Sequence, residues 1–484
     1  MSDTLFPLTF PVTCHTDHVR AGSIFVAIKG TREHGVDYIP LALHKGARHI
    51  VVQHDTVLAD DLLDTIQKYH ATIAYVSDTR KALAQLSAQA LAFPAHKLRI
   101  IGVTGTKGKT TTVFLLEHIL RSAGYRTALL STVKNKIIDQ EFPATLTTQQ
   151  PDYLHVFFDA CVQAHVDYVV MEVAAQALTL SRIEGITFES VLYTNFSLEH
   201  SEFYASMDDY FIAKARLLNY CKKAAHVLMN ADDQWFTQLL QQNTAYRSFS
   251  TQHKNAHFYA SDRITTKHGS SFNITTSDGT YPITSPLIGM FNIYNIIGAA
   301  GIAHTLGILW PSIASSVARF NSVPGRLQLY PMPNGARCFI DYAHNPSSFE
   351  AVLSTVRSLT DRLIVLFGAG GERDPYKRPL MGALAAQYAD IVVLTSDNPR
   401  SEDPAEITKQ IMNGIPPEHH TKLIYELDRE VAIKKAYAAS NDQTIILLLG
   451  KGADEYQMVG KEKQYFSEKH ILQTIAADSN SRLS

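Results

Sequence analysis

Apolar positions along the chain alternate between short continuous runs and helically spaced sets, and that alternation divides the sequence into three parts. In residues 1–95, strand-like runs at Ile24-Phe25-Val26-Ala27-Ile28, His49-Ile50-Val51-Val52 and Ile73-Ala74-Tyr75-Val76 are separated by helical patterns such as Ile39 to His44, with Gly30 and Gly46 as breaks. This predicts a small α/β domain. Ala92-Phe93-Pro94-Ala95-His96 then interrupts a helical stretch, and Pro94 biases Phe93 away from helix, so a linker is expected here.

Residues 96–323 keep the same alternation, which argues for a mostly parallel sheet: Leu98 to Val103, Tyr168 to Val173, Val191 to Thr194 and His226 to Met229 read as strands. Between about 256 and 285 the pattern shifts to short strands with Thr, Ser and Gly turns, expected as an antiparallel insertion, before helix resumes over Pro286 to Leu306. Ser322-Val323-Pro324-Gly325 marks a second boundary. Over 324–484 the strands Cys338 to Tyr342, Leu363 to Phe367, Ile391 to Thr395 and Ile445 to Leu449 alternate with helices, the pattern of a Rossmann-like, doubly wound sheet whose ligands sit at the carboxyl ends of its strands. The fold class is therefore α/β in three domains, with no internal repeat and no low-complexity segment.

Composition narrows the partners. The 484 residues carry 44 Lys and Arg against 46 Asp and Glu, a net charge of −2, so no global field favours nucleic acid or an anionic membrane. Anion binding must then be local. Cys14, Cys161, Cys221 and Cys338 have no metal-ligand or CxxC spacing, which suits a reducing compartment. No basic-then-apolar leader opens the chain and no apolar run approaches the ~20 residues of a membrane span, so a soluble cytoplasmic protein is expected.

Ile101-Gly102-Val103-Thr104-Gly105-Thr106-Lys107-Gly108-Lys109-Thr110-Thr111-Thr112 lies between a predicted strand and the helical pattern Val113 to Arg121. A loop with little side-chain bulk lets backbone N–H groups converge on phosphate oxygens, and the following helix adds the positive end of its dipole. Lys109 would reach the terminal phosphates and Thr110 would hold Mg²⁺. The general P-loop begins with Gly where Val103 stands, so this is a variant, Gly105-Thr106-x-Gly108-Lys109-Thr110. Three polar residues follow at element ends: Glu172 after Tyr168-Val169-Val170-Met171, His200 after Tyr193-Thr194-Asn195-Phe196, and Lys214 within an otherwise apolar helix. Singly, each reads as a loop carboxylate, a cap and a solvated charge. Downstream of a P-loop, a carboxylate and an imidazole are also what a second Mg²⁺ needs near a transferred phosphate.

Taken in order, the motifs resemble those of the Mur ligase family, most closely the branch that adds the third residue of the peptidoglycan stem. The resemblance runs through Gly22-Ser23-Ile24-Phe25-Val26-Ala27, Gly105 to Thr111, Leu146-Thr147-Thr148, Met171-Glu172-Val173, His200, Ala213-Lys214 and Leu287 to Asn295. It continues through Val323-Pro324-Gly325-Arg326, Asp341-Tyr342-Ala343-His344-Asn345-Pro346, Phe367 to Asp374, Asp397-Asn398-Pro399-Arg400 and Gly450-Lys451-Gly452. It implies a UDP-sugar acceptor-binding domain (1–95), a central ATP-binding P-loop domain (96–323) and a C-terminal amino-acid-binding domain (324–484).

The resemblance further implies ATP contacts from Gly105, Thr106, Lys107, Gly108, Lys109, Thr110, Thr111, Asn292, Asn295, Arg326, Asp341 and His344. Thr110, Glu172, His200 and a carbamylated Lys214 would be the Mg²⁺ ligands, and Lys109, Glu172, His200 and Lys214 the catalytic set. Thr16, Thr147, Thr148 and Arg182 would meet the acceptor, a UDP-N-acetylmuramoyl dipeptide. Arg373, Asp397, Asn398, Arg400, Gly450 and either Asp454 or Glu455 would meet the incoming amino acid, expected to be meso-diaminopimelate. The implied chemistry is activation of a carboxylate by the γ-phosphate of ATP, then attack of an amine on the acyl phosphate. Departures from the family pattern fall at His15-Thr16-Asp17, Ala174-Ala175-Gln176, Ala369 and Ala453-Asp454, so altered acceptor contacts are expected. A ligase for L-lysine or another amino acid, one with an altered acceptor, and a non-catalytic nucleotide-binding protein are the competing readings.

Overall fold

The structure is a computed structural model that describes residues 6–30, 33–197, 199 and 203–481, with side chains as far as Asp478. Among these residues the first sheet has four strands, in the order Val12–Thr13, Ile24–Val26, His49–Gln53 and Thr72–Val76, all parallel. Successive residues face opposite sides, and both sides are covered. Phe25, Ile50 and Val52 join the core with Ile39, Leu43 and Ile66, while Val26 and Val51 pack with Leu83 of the helix Thr79–Ala90. That helix starts where it does because the Asp78 carboxylate accepts the N–H groups of Arg80 and Lys81.

The expected linker is a tight, packed corner rather than a loose tether. Ala92 and Phe93 take left-handed backbone angles (φ 54° and 53°), and the short 3₁₀ turn Pro94–Lys97 buries Pro94 and Ala95, the latter in the next core. A second tie crosses the same corner: Asp152 accepts from Thr13 Oγ at 2.8 Å and from the Cys14 N–H at 3.2 Å.

An eleven-stranded sheet follows, in the spatial order Gly279–Ser285, Gly269–Thr276, Phe258–Thr266, Arg247–Ser250, Cys221–Asn230, Phe188–Tyr193, Arg99–Thr104, Tyr168–Glu172, Thr127–Leu130, Lys134–Ile137 and Gln140–Pro143. Its middle is parallel, as expected. The last two strands are antiparallel additions that the sequence did not announce, because Lys134–Ile137 and Gln140–Pro143 lack an apolar run. The stretch expected as an insertion at 256–285 instead continues the other edge of this sheet. Phe258–Thr266 runs parallel to Arg247–Ser250, and the next two strands follow through two-residue turns, which can only reverse direction.

By packing density the chain divides into two compact units, one comprising Met1–Ser261, Asn273–Ile283 and Ile293–Val317, the other Asp262–Phe272, Thr284–Asn292 and Ala318–Ser484. The second unit carries a six-stranded sheet, ordered Gln328–Pro331, Arg337–Asp341, Thr444–Leu449, Arg362–Phe367, Ile391–Leu394 and Leu423–Tyr425, parallel except for the first pair. Leu363, Val365 and Phe367 face Phe349, Leu353 and Met381, whereas Ile364 and Leu366 face Ile433, Ala436 and Leu472. Helices on both faces make it doubly wound, as the sequence predicts.

His155, on the helix Pro151–Gln163, is fully buried and its Nε2 lies 3.3 Å from the Glu184 carbonyl oxygen. Burial lowers its pKa to about 4. The unfolded chain takes up this proton below about 6.5 and the fold does not until about 4, so stability falls as pH drops through that window. In His155→Gln, which keeps a donor for Glu184, the loss of unfolding free energy between pH 7 and pH 4.5 should shrink by about 2–3 kcal/mol in urea titrations.

Candidate active site

The strand Arg99–Thr104 lies between two parallel neighbours, and its carboxyl end carries the glycine loop. Gly105 and Gly108 have positive φ, and a Cβ at either would overlap Thr194 Oγ1 or Asn295 Oδ1 respectively. Glycine is required here by close approach as well as by conformation. The loop backbone is satisfied from the neighbouring strand end. Thr106 N donates to Asn195 O (2.8 Å), Lys107 N donates to Asn195 Oδ1 (2.8 Å), and Lys107 O accepts from Asn195 Nδ2 (3.0 Å) and Thr194 Oγ1 (2.7 Å). Sequence reasoning passed over Thr194 and Asn195, although a polar pair directly after a strand adjacent to the P-loop strand was the available signal.

Helix Lys109–Ser122 begins at Gly108, and its first turn buries Thr110 and Thr111. Lys109 Nζ donates to the Gly105 and Thr106 carbonyls, both at 2.9 Å. Lys214 Nζ, on the buried face of helix Met207–Ala215, also donates to Gly105 O at 2.9 Å and lies 4.5 Å from the Tyr210 ring centroid. Burial pushes the Lys214 amine well below its ordinary pKa, and the nearby Lys109 charge adds to the shift. Asn295 accepts from Thr112 Oγ1 at 3.3 Å beside this loop, while Asn292 donates to the Ile288 carbonyl at 2.8 Å.

On the other flank Glu172 ends its strand in register with Val103 and is 1% exposed. Its carboxylate accepts from Thr132 N (2.9 Å) and Thr132 Oγ1 (3.3 Å), and Thr132 Oγ1 in turn meets Thr147 Oγ1 at 3.1 Å. Thr148 Oγ1 donates to the Glu172 carbonyl, and Arg182 Nη1 donates to the Thr148 carbonyl, each at 2.9 Å. Arg182 Nε is buried without a partner among the described residues, an unused donor at this end. Thr147, Thr148, Arg182 and Glu172 thus form one cluster, joined by Thr132, which sequence reasoning missed. Thr16 sits half-buried in the turn Thr16–His18 and shares no hydrogen bond with that cluster among the described residues. His200 lies outside the described residues.

Among the described residues no three His, Cys, Asp or Glu side chains converge. The protein groups at the P-loop edge are hard oxygens, Thr110 Oγ and the Glu172 carboxylate. This fits Mg²⁺, which keeps several waters and takes substrate phosphates as ligands, better than it fits a metal needing a full protein cage.

In the second unit, strand ends gather the other expected residues. Asp341 Oδ2 accepts from Leu327 N and Oδ1 from Ala343 N, both at 2.8 Å; burial pushes its carboxyl pKa up, against the pull of Arg326. Arg326 itself lies over the Tyr342 ring at 4.6 Å, and His344 Nδ1 is 2.8 Å from Tyr342 O. Arg400 Nη1 donates to Gly371 O at 2.7 Å. A Cβ on Gly370 would lie 3.1 Å from Arg400 Nη1 and 3.5 Å from Arg373 Cγ, so the two arginines flank one residue.

Asn398 Oδ1 accepts from Met458 N at 2.9 Å, and Asp397 is buried beside Gly450, turned toward Lys451. Burial raises the Asp454 pKa, and Tyr456 is its hydrogen-bonding neighbour; exposed Glu455 instead accepts from Ser467 Oγ at 3.3 Å. Of the two carboxylates, Asp454 is the one held within the loop cluster.

A glycine loop flanked by a buried carboxylate, and separately a pair of arginines at the carboxyl edge of a doubly wound sheet, are what an α/β enzyme of the P-loop class acting on anionic substrates would require. Comparison with known proteins narrows the class. Residues 11–90 match the family described as Mur ligase family, catalytic domain; residues 103–303 the Mur ligase middle domain; and residues 325–452 the Mur ligase, glutamate ligase domain. The chain belongs to the Mur ligase family.

It is 34% identical over 466 residues to the UDP-N-acetylmuramoyl-L-alanyl-D-glutamate--2,6-diaminopimelate ligase of Clostridium perfringens, covering 94% of this chain and 93% of that protein. It is 36% identical over 457 residues to the protein of the same name from Syntrophomonas wolfei, covering 94% and 91%. Among solved structures, a ligase of that name superposes with a TM-score of 0.68 at 27% identity over 98% of this chain and 95% of its own. The MurF ligase of Thermotoga maritima in complex with ADP, at 18% identity, full coverage of both chains and a TM-score of 0.65, shares the fold.

Asn195→Ala removes two side-chain hydrogen bonds to the phosphate loop without touching the core. Loss of two such bonds should weaken ATP binding by about ten- to a hundredfold, measured by calorimetry on the folded variant.

Proposed function

We propose that this chain joins meso-diaminopimelate to UDP-N-acetylmuramoyl-L-alanyl-D-glutamate with conversion of ATP to ADP and phosphate, in the cytoplasmic synthesis of peptidoglycan precursors. The observation that carries the reading is the pair Arg373 and Arg400 flanking Gly370, in a chain whose relatives are named for this reaction. Diaminopimelate differs from lysine by a second carboxylate, and a guanidinium fork gives a carboxylate two parallel charge-assisted hydrogen bonds.

An acceptor carboxylate oxygen attacks the γ-phosphorus, the bond to the β-phosphate oxygen breaks, and ADP departs with that electron pair. The amine then attacks the acyl carbon and loses a proton, while phosphate leaves with the C–O electrons. In this reading residues 1–95 hold the UDP-sugar through Thr16, with Thr147, Thr148 and Arg182 at the peptide end. Residues 96–323 hold ATP: Gly105 to Thr111 enclose the phosphates, Lys109 neutralises developing charge, and Asn292 and Asn295 approach the adenine.

Residues 324–484 add Arg326, Asp341 and His344 to the nucleotide, and Arg373, Asp397, Asn398, Arg400, Gly450 and Asp454 to the amino acid. Thr110, Glu172, His200 and Lys214 would hold Mg²⁺, which supplies electrostatic stabilisation of the transferred phosphoryl group. A protonated Lys214 has no lone pair for that role. Its neutral amine can add CO₂ and lose a proton to become an anionic carbamate, and the depressed pKa supports this.

Lys109→Ala should lower kcat by about a thousandfold or more with unchanged circular dichroism, since its charge serves phosphates rather than a core; phosphate release within tenfold of wild type would overturn the assignment. For amino-acid choice, wild type should prefer meso-diaminopimelate over L-lysine in kcat/KM by about a hundredfold or more, and Arg400→Ala should erase most of that ratio. A wild type that prefers lysine would leave the same chemistry with a different amino acid.

A further inference from the structure

The loop after strand Thr444–Leu449 holds a lysine that this chemistry leaves unused. Lys451 is 0% exposed, and its Nζ lies 3.3 Å from both Asp397 Oδ1 and Asn398 Oδ1, between the rings of Tyr456 and Phe466 at 5.8 and 5.7 Å. A wholly buried ammonium is unfavourable unless paired, and removing one partner is worse than never having had the pair. Burial lowers the amine's pKa while Asp397 pulls it back up.

Its partners immediately precede Pro399-Arg400. Asn398 Oδ1 is shared with the Met458 N–H (2.9 Å), and Met458 O accepts from the Arg400 N–H (3.0 Å). Arg400 O in turn accepts from Gly460 N at 2.8 Å. Arg400 has φ 53°, a left-handed conformation that a non-glycine residue holds only when its surroundings impose it.

A second buried cation frames the turn from behind. Arg429 donates to Ser396 O (3.1 Å), Leu449 O (3.0 Å) and Glu468 Oε1 (2.9 Å), tying the ends of the two strands from which the two loops leave. Arg429 fixes the strand ends; Lys451 fixes the turn itself.

We propose that Lys451 is a positioning residue for the amino-acid substrate: by binding Asp397 and Asn398 it sets the turn that presents Arg400. This rests on the reading of these loops as the amino-acid site. The alternative is that Lys451 only glues the loop together, and the two differ in what its loss changes.

The test uses the full chain in steady-state phosphate-release assays with Lys451→Met, Lys451→Arg, Arg400→Ala and the double variants. In Lys451→Met the KM for meso-diaminopimelate should rise about tenfold or more, with the KM for ATP changed less than about twofold. The preference for meso-diaminopimelate over L-lysine should narrow as it does in Arg400→Ala. Because Lys451 acts through Arg400, adding Lys451→Met to Arg400→Ala should change that KM little. Lys451→Arg, which keeps the charge but moves the donors, should recover part of the loss; if Lys451→Met does not fold, Lys451→Arg carries the same cycle, with a smaller rise of the same sign. An unchanged diaminopimelate KM, or effects that add to those of Arg400→Ala, would overturn the proposal. If Arg400→Ala itself leaves that KM unmoved, the reading of the loops falls; if it responds and the Lys451 variants do not, only the positioning role falls.

Discussion

Register along one parallel strand governs the chemistry of the first unit. The strand Arg99–Thr104 pairs on one side so that Val103 meets Glu172, and on the other so that Thr104 meets Tyr193, the residue before Thr194 and Asn195. A carboxylate therefore stands on one flank of the phosphate loop and the groups that satisfy its backbone on the other. Side chains alternate with a period of two, so a one-residue slip on either flank would send Glu172 into the core or take Asn195 away from Lys107. The buried apolar faces of the sheet, Val169 and Met171 among them, are what forbid the slip. Core packing and site geometry are thus the same constraint viewed from two ends of a strand.

Much of this was legible in the sequence, because apolar runs identify strands and polar residues directly after them identify the functional edge. The glycine loop and Glu172 were read that way, as were four of the six strands of the doubly wound sheet, whereas Lys214 was read from its place in an otherwise apolar helix. Groups whose importance arises across the sheet were not legible. Thr194 and Asn195 matter only because their strand lies beside the P-loop strand, and Thr132 only because a turn brings its hydroxyl and amide to Glu172. Strands Lys134–Ile137 and Gln140–Pro143 escaped because short polar strands at a sheet edge carry neither an apolar run nor alternation. Lys451, named in the sequence only as part of Gly450-Lys451-Gly452, is fully buried.

The second unit solves a different problem, bringing several loops within reach of one another at a sheet edge. Gly371 lies so close to Pro399 O, and Gly325 to Gly452 and Ala453, that any side chain would collide. Buried charge then orders the loops: the fully buried Arg429 gathers the Ser396 and Leu449 carbonyl oxygens and a Glu468 oxygen, and Lys451 the side-chain oxygens of Asp397 and Asn398. Apolar packing could have filled the volume, but it would not have dictated which loop atoms face each other. Directional partners do.

The carboxylate of Asp152 reaches back 139 residues to Thr13. On the ribosome, at ~5–20 residues per second, the 76 residues from the end of the first sheet at Val76 to Asp152 take roughly four to fifteen seconds, during which the outermost strand of the finished sheet has no carboxylate to close it. Val12–Thr13 is that strand, only two residues long and preceded by Pro11, and such brevity with an adjacent proline keeps an open sheet edge from recruiting a neighbouring nascent chain. The shortness of this edge is therefore suited to the order of synthesis as much as to the finished fold: the strand waits without this tie until Asp152, on the helix that begins at Pro151, accepts from Thr13 Oγ1 and the Cys14 N–H.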